Sequence, residues 1–192
     1  LGKSLWRKKI LPVPQATFIG AHSIQVEVVD AWDTMTKKFL AAASLVYQTL
    51  DFDFLVKVNT TTYVNIEQLE KSLLGYSSKN FWGGAISKGK CFTSGWATVL
   101  SRESLKNLIL SISDSDDLKS GKYEDEAIGS MLLDLGESPV SMKFAEFNKN
   151  PYLDPISNES IPFFRLKSFK DRVKHDPKLF DTLHRCLKHE YK

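Results

Sequence analysis

Strands that alternate with amphipathic helices predict an α/β fold, a mainly parallel sheet flanked by helices in a single domain. Three observations carry this. The hydrophobic period switches repeatedly between two and 3.6, the helical stretches between strands are about 10 to 17 residues long, and the 192 residues suit one unit at about 100 to 200 residues per domain.

Lys3 to Lys9 is basic, and Pro12 and Pro14 prevent a continuous helix there. Residues 1–15 therefore read as a basic N-terminal segment, with the domain occupying 16–192. Ala16 to Gly20 is a short apolar strand, and Ile24 to Val29 alternates as a half-buried strand does. From Asp33 to Leu50 the stripe Met35, Phe39, Ala42, Ala43, Val46 specifies a helix. Phe52, Phe54, Val56 and Val58 alternate with Asp53, Leu55 and Lys57 in a strand that runs into the polar segment Asn59-Thr60-Thr61-Thr62.

Asn65 caps the next helix with Gln68 three residues on, and Ile66, Leu69 and Leu73 form its buried face. Phe81 to Ile86 and Phe92 to Leu100 read as strands, and Ser101 as the N-cap of a helix carrying Leu105, Leu108, Ile109 and Ile112. Residues 111–122 read as a polar loop. Glu124 to Leu135 is a helix with an acidic first turn and Gly136 at its stop. Val140 to Phe147 and Phe163 to Phe169 are strand candidates. Asp176-Pro177 looks like the start of a last helix that buries Phe180, Leu183 and Leu187.

With 42% hydrophobic and 11% aromatic residues, the chain can offset the entropy of ordering itself, which argues against disorder. The charge balance, 26 − 23 = +3, with both signs interspersed, neither requires nor excludes nucleic acid. Cys91 and Cys186 form no Cys/His cluster, so a zinc site is not expected. His22, His175, His184 and His189 lack ligand or nucleophile spacing and read as structural or surface residues. No apolar run approaches the roughly 18 to 20 residues that span a bilayer. Leu1-Gly2-Lys3 does not resemble a signal peptide or the start of a translated chain, so a fragment is expected.

In parallel α/β sheets, ligands sit beyond the C-terminal strand ends, which is where Asn59 to Thr62 falls. Four segments then match a known order: Asp30, Trp32, Thr36 and Lys38; Lys57 through Asn65; Ser94-Gly95-Trp96-Ala97-Thr98-Val99-Leu100-Ser101; and Glu124-Asp125-Glu126-Ala127-Ile128-Gly129. Over roughly 16–136 this resembles the GT-A glycosyltransferases of the β-1,3-galactosyltransferase and Fringe type. Their counterparts are D-x-Y-x-N-L-T-x-K, K-x-D-D-D-x-F-V-N, S-G-G-G-Y-V-L-S and E-D-V-x-x-G. The resemblance implies a GT-A-like, Rossmann-like fold and transfer of a sugar from a UDP-sugar donor to an acceptor hydroxyl with inversion.

The departure from the family is chemical. Its D-D-D segment holds a divalent cation, usually manganese, because hard cations want carboxylate oxygens. Asn59, Thr60 and Thr61 offer none, and the family's late histidine ligand has no counterpart in Pro162 to Ser168. A metal-independent variant is therefore expected, with manganese disfavoured and no cofactor beyond the UDP-sugar substrate. Fixed cations can neutralise a leaving diphosphate instead, and Arg165, Lys167 and Arg172 are the candidates. Asn59-Thr60-Thr61 and the Phe163 to Lys167 segment are also similar to glycosyltransferase-like sequences with N-x-S-S and F-x-x-R-x-K segments.

The replacement of the metal by fixed cations assigns nucleotide-sugar contacts to Arg165, Lys167 and Arg172, and the resemblance adds Lys57, Asn59, Thr60 and Thr61. The resemblance assigns catalysis to Asp125, as the base that takes the acceptor proton, with Glu124 beside it. Trp82, Gly83, Gly84, Ser94, Gly95 and Trp96 would meet the acceptor, since sugar C–H faces stack on indoles. Each assignment has a plainer counterpart: a polar strand-to-loop turn, acidic residues favoured by a helix N-terminus, solvated surface charges, and core packing. Two rival functions follow, a degenerate transferase that only binds a glycan or nucleotide, and, more weakly, a nucleic-acid-binding module. Without a membrane span in this chain, a cytoplasmic location is expected, or the Golgi lumen if a membrane anchor precedes the chain.

Overall fold

The computed structural model describes residues 14–112, 123–147, 160–166 and 172–187. Its described strands are β1 (Ala16–Ile19), β2 (Ser23–Val26), β3 (Phe54–Val58), β4 (Thr62–Val64), β5 (Trp82–Gly84), β6 (Ala97–Ser101), β7 (Val140–Ser141), β8 (Phe144–Phe147) and β9 (Phe163–Leu166). The helices are α1 (Met35–Thr49), α2 (Ile66–Leu73), α3 (Arg102–Ser111), α4 (Glu124–Asp134) and α5 (Arg172–Leu187).

The fold is α/β, and its sheets mix parallel and antiparallel pairing, where a mainly parallel sheet was expected. β1 and β2 form a hairpin closed by Gly20 at φ +63°, a conformation glycine adopts without strain. A four-stranded sheet has the order β3-β6-β5-β7, with β5 and β7 parallel. A three-stranded sheet has the order β4-β9-β8, with β4 antiparallel to β9 and β8 parallel to it. The expected strand over Val140 to Phe147 is thus two strands in different sheets.

The described residues fall into two compact units. The first draws on residues 14–55, 78–82, 100–112 and 123–139, the second on 56–77, 83–99, 140–147, 160–166 and 172–187. In the first, α1 packs with α3, α4 and the β1–β2 hairpin. Leu40, Ala43, Leu105, Leu108, Ile112 and Leu132 are buried there. Before α1, a 3-10 turn (Trp32–Thr34) is held by the Thr34 hydroxyl donating to the Val29 carbonyl at 2.6 Å. Lys38 pairs with Asp30, so two residues of the first matched segment brace this entry to α1.

Ser101 caps α3 as expected: its Oγ accepts the Ser104 N–H at 3.2 Å and also the Phe81 N–H at 3.0 Å. Arg102 donates to the Leu50 carbonyl at 2.8 Å and lies over the Tyr47 and Phe52 rings. α4 ends with Gly136 at φ +79°, whose N–H donates to the Leu133 carbonyl at 2.9 Å.

The second unit centres on Ile161, Phe164, Leu166, Leu179 and Leu183, with Tyr63, Phe147 and Phe180 against them. Asn65 caps α2 by accepting the Gln68 N–H at 3.3 Å. Tyr63 is hydrogen-bonded to His184 Nδ1 on α5 at 2.8 Å, and burial raises its phenol pKa. α5 begins before the expected Asp176-Pro177 start and carries Pro177 inside it. A proline this near the N-terminal end removes one intrahelical bond, which leaves the rest of the helix intact. Among the described residues, no helix is long and apolar enough to cross a membrane.

Candidate functional site

The second unit brings together Lys57, Asn59, Thr60, Thr61 and Arg165. β3 ends at Val58, and Asn59 turns the chain toward β4. Its Oδ1 accepts the Thr61 N–H at 3.1 Å and the Thr61 hydroxyl at 2.7 Å, the geometry of an Asx turn. The Thr62 N–H donates to the Asn59 carbonyl at 3.1 Å. Thr61 and Thr62 are 5% and 7% exposed, whereas Asn59 and Thr60 are exposed. The Asn59 Oδ1 and the Thr61 hydroxyl are therefore committed to the turn itself.

The Thr62 hydroxyl has one proton and donates it to the Trp96 carbonyl at 2.7 Å, with Asn59 Oδ1 3.0 Å away. The Lys57 ammonium donates to the Gly95 carbonyl at 2.8 Å. Lys57 and Thr62 thus tie the β3–β4 turn to consecutive carbonyls at Gly95 and Trp96.

Arg165 completes the group through register. It is the Cα partner of Thr62 on β4 and of Glu146 on β8. Its guanidinium carbon lies 5.5 Å from the Trp96 ring centroid, and its Nη1 is 3.6 Å from Glu146 Oε1, an ion pair longer than a hydrogen bond. Arg165 Nε and the Trp96 indole N–H are both buried without a hydrogen-bond partner. An unmet buried donor costs about 1–3 kcal/mol, so two in one cluster are a notable expense.

Trp82 and Trp96, expected to meet the acceptor, are 1% and 4% exposed. Trp96 packs edge-on against Phe144 at 5.3 Å, and both indoles are core residues in this conformation. Gly83 and Gly84 are buried as well. Gly84, at φ +149°, must be glycine because a Cβ there would stand 2.1 Å from the Ala97 carbonyl oxygen. Ser94 Oγ is 2.9 Å from Ser87 Oγ. Burial gives this segment a packing role, with Gly95 and Trp96 supplying carbonyls to Lys57 and Thr62.

Glu124 and Asp125 lie in the first turn of α4, in the first unit, and both are half-buried. Asp125 Oδ1 accepts the Glu126 N–H at 3.1 Å. Acidic side chains are favoured at that helix end by its unpaired N–H groups. Lys167 lies outside the described residues, as does the side chain of Arg172, whose backbone opens α5. Among the described residues, no group of three or more His, Cys, Asp or Glu side chains could hold a metal ion.

Glu146 and Glu137 carry no recognisable signature in the sequence. Both Glu137 carboxylate oxygens are buried, and burial raises its pKa more than a hydrogen bond from the Ser104 hydroxyl lowers it. A solitary glutamate after a helix-stop glycine gives no sequence signal for this. Glu146 was hidden because strand pairing decides what it faces. The sequence matches no protein-family model and no curated protein.

Proposed function

We propose that the protein is an inverting glycosyltransferase of GT-A-like architecture, moving a sugar from a UDP-sugar to an acceptor hydroxyl without a metal ion. The supporting observation is the register that sets Arg165 opposite Thr62, at the end of the Asn59 to Thr62 turn. A guanidinium there can fork across diphosphate oxygens and stabilise the negative charge that grows on the leaving group. Lys57, near the end of β3, and the exposed Thr60 of the turn would contact the nucleotide-sugar. Asp125, in the first unit, would be the base that takes the proton of the acceptor hydroxyl.

A second reading, a catalytically degenerate protein that binds a glycan or nucleotide, is favoured by the Asx turn, which occupies Asn59 Oδ1 and the Thr61 hydroxyl. Release of UDP from UDP-sugar, measured with EDTA present, separates the two. The transferase releases UDP and loses that activity in Asp125→Asn, whereas the binder is stabilised by UDP and releases none.

A further inference from the structure

Arg165 has two kinds of unfinished business. Its outer nitrogen faces Glu146 at 3.6 Å, too far for a hydrogen bond, and its Nε is buried with no acceptor. The Trp96 ring lies under the guanidinium, 5.5 Å from centroid to guanidinium carbon, and its indole N–H is likewise buried with no acceptor. Two donors that lack an acceptor, beside a cation whose carboxylate partner is held loosely, match the chemistry of an oxyanion.

Glu146 is fixed by strand register. β8 and β9 are parallel, and Glu146 is the Cα partner of Arg165, so the carboxylate faces the guanidinium whenever the sheet is formed. Both side chains are about one-third exposed or less, so their attraction is partly shielded from solvent. A carboxylate in that position is an internal competitor for any anion that Arg165 would bind.

We propose that Arg165 and Trp96 form an oxyanion site for a phosphate or diphosphate group, and that Glu146 is its built-in competitor, released when the anion binds. This deepens the transferase reading, on which it rests for the assignment of Arg165 as the anion contact. Glu146 thereby becomes a specificity-determining residue: it sets a threshold that a diphosphate passes more easily than a monophosphate of lower charge.

The test is calorimetric titration of the intact chain, in EDTA, with inorganic pyrophosphate, orthophosphate and UDP. Removing the competitor in Glu146→Gln should tighten pyrophosphate binding about two- to fivefold, the range set by partly exposed ion pairs. Arg165→Gln should abolish binding, and Trp96→Phe, which keeps an aromatic ring and loses the N–H, should weaken it about two- to tenfold. A gain in affinity cannot arise from misfolding, so Glu146→Gln is decisive. Unchanged or weaker binding in Glu146→Gln overturns the proposal, as does an absence of pyrophosphate binding in both the parent chain and that variant. Arg165-dependent pyrophosphate binding with no response to UDP would sustain the oxyanion site and remove the UDP-sugar reading. Orthophosphate binding as tightly as pyrophosphate would overturn the charge threshold.

Discussion

Arg165 and Thr62 are directly opposed residues of the antiparallel pair β4–β9, and the Leu166 N–H donates to the Thr61 carbonyl at 2.8 Å beside them. The ladder therefore fixes the turn that follows β3 and the proposed anion contact as one piece. Side-chain chemistry at either residue is read against a backbone geometry that neither can change alone.

Asn59 should matter first as a turn residue. Asn59→Ala removes an acceptor that serves two Thr61 groups, and is expected to lower stability in urea unfolding by about 1 kcal/mol. Asn59→Asp keeps an acceptor oxygen and should restore most of that loss. Equal destabilisation by both variants would contradict the Asx-turn assignment.

Gly84→Ala should be poorly tolerated. The new Cβ would meet the Ala97 carbonyl, a backbone atom that cannot rotate away, at a φ of +149°. A loss of about 1–3 kcal/mol or more in the same unfolding measurement is expected. A neutral result would show that the sheet at β5 relaxes freely.

Asp125→Asn should leave the circular dichroism spectrum and UDP binding unchanged while UDP release from the UDP-sugar falls by about a hundredfold or more, the scale of general base catalysis. Retained turnover would remove Asp125 from the chemistry.

Glu137 makes stability depend on pH. Its folded pKa is raised by burial, so the fold favours the protonated acid. That contribution is fully present below the unfolded value of about 4.3 and is lost as pH rises through the folded value. Glu137→Gln, permanently neutral, should melt higher than the parent chain at pH 7 and at nearly the same temperature at pH 4. A melting difference that does not vary with pH would refute this.

The parts of the fold that local chemistry decides were legible in the sequence. Asn65 and Ser101 announced their helices because a cap is a contact between near neighbours, and Gly136 marked the end of α4 for the same reason. Sheet pairing was not legible, because whether Val140 and Phe144 share a strand depends on distant partners, β5 for one and β9 for the other. Thr62 closes a polar segment in the sequence and nothing local marks Thr62 to Val64 as a strand, yet it is one because β9 supplies its hydrogen bonds. Of the candidate site, the Asn59 turn and Arg165 could be named from sequence, but their opposition could not. The burial of Trp82 and Trp96 was equally open, since an indole serves a core and a sugar platform alike.

The most direct test of the metal-free, arginine-based donor site is the shift in melting temperature caused by UDP in EDTA, in the parent chain and in Arg165→Gln. A rise is expected for the parent that added manganese does not enlarge, and none for the folded variant. Stabilisation that requires manganese, or that survives in Arg165→Gln, would contradict such a site.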